Sequence, residues 1–326
     1  MYGANMSKRI LLWSPLDDYV PDLLGSLEDI DFCRVNSEAE LEELLPSADA
    51  LVLLGMLYNA EVAKLVRERA NRLRWIQLTT AGYDGVSFDG VPSSVVVTNA
   101  GHIHGPLIAE HAVTLLTALV RRLPCFAEPQ SRHTWDRRIS LPLTTLEDAT
   151  VAILGYGGIG REIARRLKSF GATVVAIARA ERTDDFADRI VSSRSFHSVL
   201  GEADALVVAC SLTAETTGMV NAAAIAAFKP GGVLVNIARG GVIDTAAIVE
   251  ALHSGHLHGA GLDVTAPEPL PNDHPLWSCP NLIITPHVAA FGSAAVRRRF
   301  AELLGDNIAR FQNGQELEHQ VALIVG

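Results

Sequence analysis

The amino-acid sequence predicts an α/β protein made of two doubly wound parallel-sheet domains. Three observations lead there. Short apolar runs alternate with helical periodicity along nearly all of the 326 residues, as in successive βαβ units. The alternation breaks once, at a long helix from Pro106 and an irregular stretch over 124–147, and then restarts. The second series opens on a glycine-rich turn, Gly155, Gly157 and Gly160, between a strand and a helix.

In the first series "RILLWSP", "ADALVLLG", "RWIQLTT" and "VVVTN" read as strands near 9–14, 49–55, 74–80 and 95–99. Between them "SEAELEELLP" and "NAEVAKLVRERAN" have the apolar spacing of amphipathic helices. From Pro106, "PLIAEHAVTLLTALVRRL" is a long helix with Ile108, Ala112, Leu115, Leu116 and Leu119 on one face. The second series reads as strand "TVAILG", helix 158–170, then strands "TVVAIA", "ADALVVAC", "GGVLVNIA", "GAGLDV" and "LIITPH". A last helix over about 292–313 follows the completed second series. It is expected to pack back on the first domain, which gives 1–100 plus 292–326 as one domain and 101–291 as the other.

Composition narrows the function classes. Hydrophobic residues make up 48% and charged ones 20%, enough for a substantial core. The net charge of −10 and the scattered arginines speak against a nucleic-acid partner. Cys33, Cys125, Cys210 and Cys279 lie far apart with no C-x-x-C, so neither a disulfide framework nor a zinc site is expected, and a reducing cytoplasm fits. No secretory signal and no apolar span of membrane length is read, so no membrane is expected. "HSGHLHG" groups His253, His256 and His258, but Gly255 looks like the residue after a helix end, and no metal is expected there.

The glycine turn predicts a dinucleotide. Gly155 permits the tight turn, Gly157 lets the backbone approach a pyrophosphate, and Gly160 lets the helix lie close to the strand. The helix N-terminus offers free N–H groups and partial positive charge to the phosphates. In most such folds an acid near the end of the second strand holds the ribose. Here "VVAIARAER" puts Ala178 at that place and Arg179 and Arg182 beside it. An alanine cannot accept from a 2′-hydroxyl, and the arginines suit a 2′-phosphate, so NADP is expected over NAD. The alternative reading is that both arginines are solvated and the cofactor is NAD.

Three further residues follow strands of the second series: Arg239 in "LVNIARGGVID", Glu268 in "GLDVTAPEPLP" and His287 in "LIITPHVAA". Strand C-termini are where open α/β sheets bind ligands. A histidine titrating near neutrality can give and take a proton, a carboxylate beside it favours its charged form, and an arginine fork holds a carboxylate or polarises a carbonyl. Each alone has a plainer reading, as a turn cap, a loop acid or a satisfied core histidine.

The stretch from about Thr150 to Gly292, densest in "CSLTAETTGMVNAAAIAAFKPGGVLVNIARGGVIDTAAIVEALHSGHLHGAGLDVTAPEPLPNDHPLW", resembles the D-isomer-specific 2-hydroxyacid dehydrogenases. The resemblance implies a Rossmann cofactor domain inserted in a flavodoxin-like substrate domain, usually in a homodimer. It implies that Arg239, Glu268 and His287 are the catalytic arginine, acid and histidine. It makes "TTAGYDGV" the substrate-carboxylate loop, through the N–H groups of Ala81 and Gly82, with Arg239 also on the substrate. It counts Gly158, Ile159, Cys210, Thr216, Ala238 and Asp263 with the glycine turn and Arg179 as cofactor contacts, Asp263 toward the nicotinamide carboxamide. Where the family often has proline after the strand at Cys210, this chain has Ser211. Relatives that oxidise formate carry glutamine at the place of Glu268.

The implied activity is reduction of a small 2-keto acid, of the glyoxylate or hydroxypyruvate type, to the D-2-hydroxy acid. A dinucleotide-sensing module akin to corepressors of this family stays open as the alternative. 3-Phosphoglycerate would need basic residues near Gly82, and none stands there. Trp135, in the irregular stretch, is expected to serve simple packing, the alternative being that it reaches the cleft of its own or a partner subunit.

Overall fold

The computed structural model describes residues 7–13, 29–137 and 143–321. The chain divides into two compact units, one from Met1–His104 with Gly292–Gly326, the other Gly105–Phe291. The first crossing lies a little later than the sequence suggests. Ala100 is tied to Thr80 (N···O 3.0 Å), and Arg299 reaches the Ile103 carbonyl (3.1 Å), which keeps that turn in the first unit.

The first unit carries a five-stranded parallel sheet of β1 (Lys8–Trp13), β2 (Ile30–Arg34), β3 (Ala50–Leu53), β4 (Trp75–Leu78) and β5 (Val96–Thr98), in the order β2-β1-β3-β4-β5. That is the flavodoxin-like order. One face buries Leu11, Leu51, Leu53 and Ile76 with Leu41, Val62 and Val66 of the helices Glu38–Leu44 and Ala60–Arg69. The other buries Ile10, Leu12, Ala50, Val52 and Trp75 against Phe300, Leu304 and Ile308 of the helix Ala294–Gln312. Alternate residues thus meet opposite layers, and strands covered on both faces read as unbroken apolar runs.

A polar chain runs through this core. Trp75 Nε1 donates to Thr98 Oγ1 (2.8 Å), which donates to Gln77 Oε1 (2.8 Å). Asn307 Nδ2 also donates to Gln77 Oε1 (3.1 Å), and Asn307 Oδ1 accepts from the Glu318 N–H (2.7 Å). The late helix is therefore fastened to the sheet by direction-specific bonds as well as by apolar contact.

The second unit carries β6 (Thr150–Leu154), β7 (Thr173–Ala178), β8 (Arg189–Ser192), β9 (Ala205–Val208), β10 (Gly232–Asn236), β11 (Leu257–Leu262) and β12 (Leu282–Ile284). All pair in parallel in the order β12-β11-β10-β9-β6-β7-β8. The chain steps outward from β6 to β8, then returns to β9 and steps outward the other way. Strand order reverses between β6 and β9, which opens a crevice at their C-terminal ends. The helix Gly105–Val120 packs Ala112, Leu115, Leu116 and Leu119 on one face with Val151, Ile153, Val233 and Val235. It stops short of the predicted Leu123, because Arg122 turns left-handed (φ 51°) and Thr144 takes the Val120 carbonyl.

Two strands escape the sequence reading, β2 and β8. Both are sheet edges, and edges carry charged residues such as Asp31, Arg34 and Arg189 in place of an apolar run. Trp135 is also corrected: it does not pack within the chain but stands 88% exposed. The four cysteines are free, and no helix among the described residues is long and apolar enough to cross a membrane.

The buried polar chain gives a stability test. Asn307→Leu strips the Glu318 N–H of its acceptor and Gln77 of one donor. Urea unfolding followed by circular dichroism is expected to show a loss of about 1–3 kcal/mol.

Candidate active site

Gly155 ends β6 at φ +99°, where a Cβ would lie 2.5 Å from the Cys210 backbone nitrogen at the end of β9. The two strand ends at the switch point meet because this residue is a glycine. A Cβ on Gly160 would strike the Gly155 carbonyl oxygen at 2.1 Å, so that glycine brings the helix Gly158–Lys168 down on the strand. Gly157 differs: a Cβ there would meet nothing within 4 Å. Among the described residues no side chain caps this helix, so the N–H groups of its first turn, Gly158, Ile159 and Gly160, face an open cradle. An N-terminus of this kind beside an unobstructed glycine fits a pyrophosphate.

Around the cradle, the loop after β9 is closed by its own hydroxyls. Thr216 Oγ1 donates to the Ser211 carbonyl (2.7 Å) and accepts from the Thr213 N–H (2.8 Å). These bonds close the loop on itself where the proline is absent, and they occupy the hydroxyl of Thr216. Burial pushes the Cys210 thiol up to about 11, so it is a neutral, small wall residue. Ala238 is buried beside it in sequence-distant packing on the same sheet edge.

At the end of β7 the two arginines part company. Arg179 is exposed, and among the described residues it has no hydrogen-bond or ion-pair partner. Arg182 is corrected from the sequence reading. Its guanidinium donates to the Tyr156 carbonyl and lies 5.6 Å from the Tyr156 ring centroid. Tyr156 in turn donates its hydroxyl to Asp184 Oδ1 (2.9 Å), and Arg161 donates to Asp184 Oδ2 (2.7 Å). This clamp binds the loop after β7 to the glycine turn and leaves Arg179 as the uncommitted cation.

The ends of β10, β11 and β12, neighbours in the sheet, bring three predicted residues together. After β10, fully buried Asn236 holds the turn: its Oδ1 accepts from the Ala238 N–H (3.0 Å) and its Nδ2 donates to the Arg239 carbonyl (3.0 Å). Gly240 follows because a Cβ there would lie 2.0 Å from the Thr265 carbonyl, so the Arg239 turn rests on the backbone of the Glu268 loop. Glu268 Oε1 accepts from the Thr265 N–H (2.9 Å), and Oε2 sits 3.0 Å from His287 Nδ1. Burial raises the Glu268 carboxyl, but the bonds from His287 and Thr265 and the charges of His287 and Arg239 outweigh it and hold it below the usual range.

His287 occupies left-handed backbone (φ 54°), costly for a residue with a Cβ. Its N–H bonds the Asp263 carbonyl (2.8 Å). The Asp263 side chain, expected at the carboxamide, is 1% exposed, and its contacts are to the protein. Oδ1 accepts from Thr285 Oγ1 (2.6 Å) and the Val288 N–H (3.0 Å), and Oδ2 from the Ala289 N–H (3.1 Å). His111, from the helix Gly105–Val120, stands 3.0 Å from Thr285 Oγ1. Sequence reasoning missed His111 and Thr285. The available signal was a histidine at helical spacing from apolar residues, three after Ile108 and four before Leu115.

In the first unit, Asn99 Nδ2 donates to the Ala81 carbonyl (2.7 Å) and Thr80 Oγ1 to the Gly82 carbonyl (2.8 Å). With both carbonyls tied back, the N–H groups of Ala81 and Gly82 have no acceptor among the described residues. The tempting histidines do other work: His253 bonds the Val249 carbonyl and His256 the Ile225 carbonyl, with Gly255 left-handed between them.

A crevice at a strand-order reversal, a capless helix over a glycine turn and an arginine, acid and histidine on one edge define a nucleotide-dependent oxidoreductase class. Residues 113–289 match the family model described as "D-isomer specific 2-hydroxyacid dehydrogenase, NAD binding domain", and the chain belongs to that family. It is similar to the glyoxylate reductase of Thermococcus gammatolerans, 31% identical over 95% of this chain and 94% of that one. It is also similar to D-3-phosphoglycerate dehydrogenase of Mycobacterium bovis, 34% identical over 86% of this chain, which spans about half (53%) of that longer protein. Among solved structures it resembles the NADPH-dependent glyoxylate/hydroxypyruvate reductase of Sinorhizobium meliloti in complex with NADP and sulfate. There the identity is 28%, the TM-score 0.82, and the match covers 96% of this chain and 98% of that one.

The depressed Glu268 carboxyl sets a pH dependence. A carboxyl whose folded value lies below its unfolded value, about 4.3, stabilises the fold above that pH and loses the contribution as pH falls through the folded value. Glu268→Gln is therefore expected to melt below the wild type at pH 7, with the gap closing as pH falls below about 4, read by scanning calorimetry across pH.

Proposed function

We propose that the protein reduces a small 2-keto acid of the glyoxylate or hydroxypyruvate type to the D-2-hydroxy acid, with NADPH preferred over NADH. The observation that carries this reading is the 3.0 Å pairing of His287 Nδ1 with Glu268 Oε2 on the strand edge that also bears Arg239. An ionised carboxylate only accepts, so Nδ1 bears a proton and Nε2 is the ring atom left for the substrate. Nε2 gives its proton to the keto oxygen on reduction and recovers one from the hydroxyl on oxidation. Glu268 holds the ring in place, and Arg239 polarises the carbonyl and holds the substrate. The dihydronicotinamide, when bound, supplies the hydride.

We assign the substrate carboxylate to the N–H groups of Ala81 and Gly82 as well as Arg239, and substrate recognition to the first unit, 1–104 with 292–326. The second unit, 105–291, takes the dinucleotide, through Gly155, Gly157, Gly158, Ile159 and Gly160 at the phosphates, Cys210, Thr216, Ala238 and Asp263 along the cofactor, and Arg179 at a 2′-phosphate. The segments 54–58, 79–84 and 99–104 after β3, β4 and β5 contain no lysine or arginine. That supports a substrate without a phosphate, against 3-phosphoglycerate. Free cysteines support the cytoplasm, and the exposed Leu123 (56%) and Trp135 support a homodimer.

The test is a matrix of kcat/KM for NADPH and NADH against glyoxylate, hydroxypyruvate, pyruvate and 3-phosphohydroxypyruvate. The highest value is expected with NADPH and one of the first two. No turnover with any pair overturns the reading in favour of a sensing module. His287→Gln is expected to lower kcat by about 10²–10⁴-fold with the dissociation constant for NADPH within twofold. Arg179→Ser is expected to lower kcat/KM with NADPH by about tenfold or more and leave that with NADH nearly unchanged, because only the former loses a charge-assisted bond.

A further inference from the structure

Among the described residues, one buried polar chain in the second unit ends on Asp263, assigned above to the cofactor, while its other members have no role assigned above. It runs from His111 through Thr285 to Asp263. Its proton directions can be worked out from the partners. Asp263 sits deep in the protein, where burial raises its carboxyl. The bonds from His111, Thr285 and the N–H groups of Val288 and Ala289 outweigh burial and hold it below the usual range, so it is an acceptor only. Thr285 has a single hydroxyl proton and spends it on Asp263 Oδ1 at 2.6 Å. The 3.0 Å contact between Thr285 Oγ1 and His111 Nε2 must then be donated by the histidine. His111 Nε2 also lies 3.4 Å from Asp263 Oδ1. The order is His111 to Thr285 to Asp263, each giving a proton forward.

What the chain ends on matters. Asp263 grips the N–H groups of Val288 and Ala289, the two residues after His287, while its own backbone carbonyl takes the His287 N–H. The backbone of His287 is thus held on both sides by one residue. It needs holding, because its left-handed φ of 54° is disfavoured for a side-chain-bearing residue. We infer that His111 and Thr285 are positioning residues: they fix the Asp263 carboxylate, which fixes the backbone that aims the His287 ring at Glu268 and the substrate. His111 belongs to the helix Gly105–Val120, whose neighbouring residues are locked into the sheet core, so the chain refers the ring's placement to the most rigid layer of the unit.

This inference rests on the function proposed for His287, and its test separates the two. His111→Leu and Thr285→Val remove the donor and the hydroxyl at nearly constant volume; His111→Gln and Thr285→Ser restore them. Kinetics are read with NADPH and glyoxylate, and amide hydrogen exchange of Val288 and Ala289 is read in all variants without substrate. Expected is a fall in kcat of about 10- to 100-fold in the Leu and Val variants with KM for NADPH within about twofold. The Gln and Ser variants are expected within about threefold of wild type. Exchange at Val288 and Ala289 is expected to quicken about tenfold or more in the Leu and Val variants alone, with core amides of β6 and β10 unchanged. Unchanged exchange and kcat in His111→Leu would overturn the inference, as would Gln and Ser variants as impaired as Leu and Val. If the wild type turns over no 2-keto acid, the proposed function fails by itself, and exchange alone decides the role of the chain.

Discussion

The second unit's chemistry depends on where one carboxylate is spent. Asp263 closes β11, and the residue it controls, His287, lies past the end of the neighbouring β12. Parallel pairing brings the two strand ends level, and the Asp263 carboxylate then stitches the segment after β12 by its backbone. A polar group so enclosed is tolerated only when its bonds are complete, and here they are met by two N–H groups, a hydroxyl and an imidazole. The more exposed pair, Glu268 and His287, is built on that fixed base.

The other half of the crevice obeys a steric constraint. Gly155 and Gly160 are close-contact glycines, with backbone where a Cβ would go, whereas Gly157 has free space. The same motif therefore contains two packing residues and one opening. Around it, Tyr156, Arg161, Arg182 and Asp184 form a self-contained knot. Charge on the loop after β7 is largely consumed by this knot, and the cation that remains is the one directly after the strand.

Much of this was legible in the sequence because it repeats along the chain. Buried parallel strands are continuous apolar runs, and Arg239, Glu268 and His287 each follow one. β2 and β8 were illegible for the converse reason: at an edge, Asp31 and Arg189 are tolerated and the run disappears. Helical spacing could place His111 on the Ile108 face, but its pairing with Thr285 was illegible because it is a contact across 174 positions of sequence, which no local pattern encodes. Arg182 was misread because spacing says how far a side chain is along the chain and nothing of whether a nearer carbonyl has already claimed it.

The helix Ala294–Gln312 is made after the second unit and belongs to the sheet made before it. On the ribosome, the face bearing Ile10, Leu12, Val52 and Trp75 waits for its cover while the whole intervening unit emerges. That unit has its own complete core and can close meanwhile. Translation order therefore leaves an apolar surface bare until that distant helix has been made, and while it is bare the chain needs protection from its neighbours.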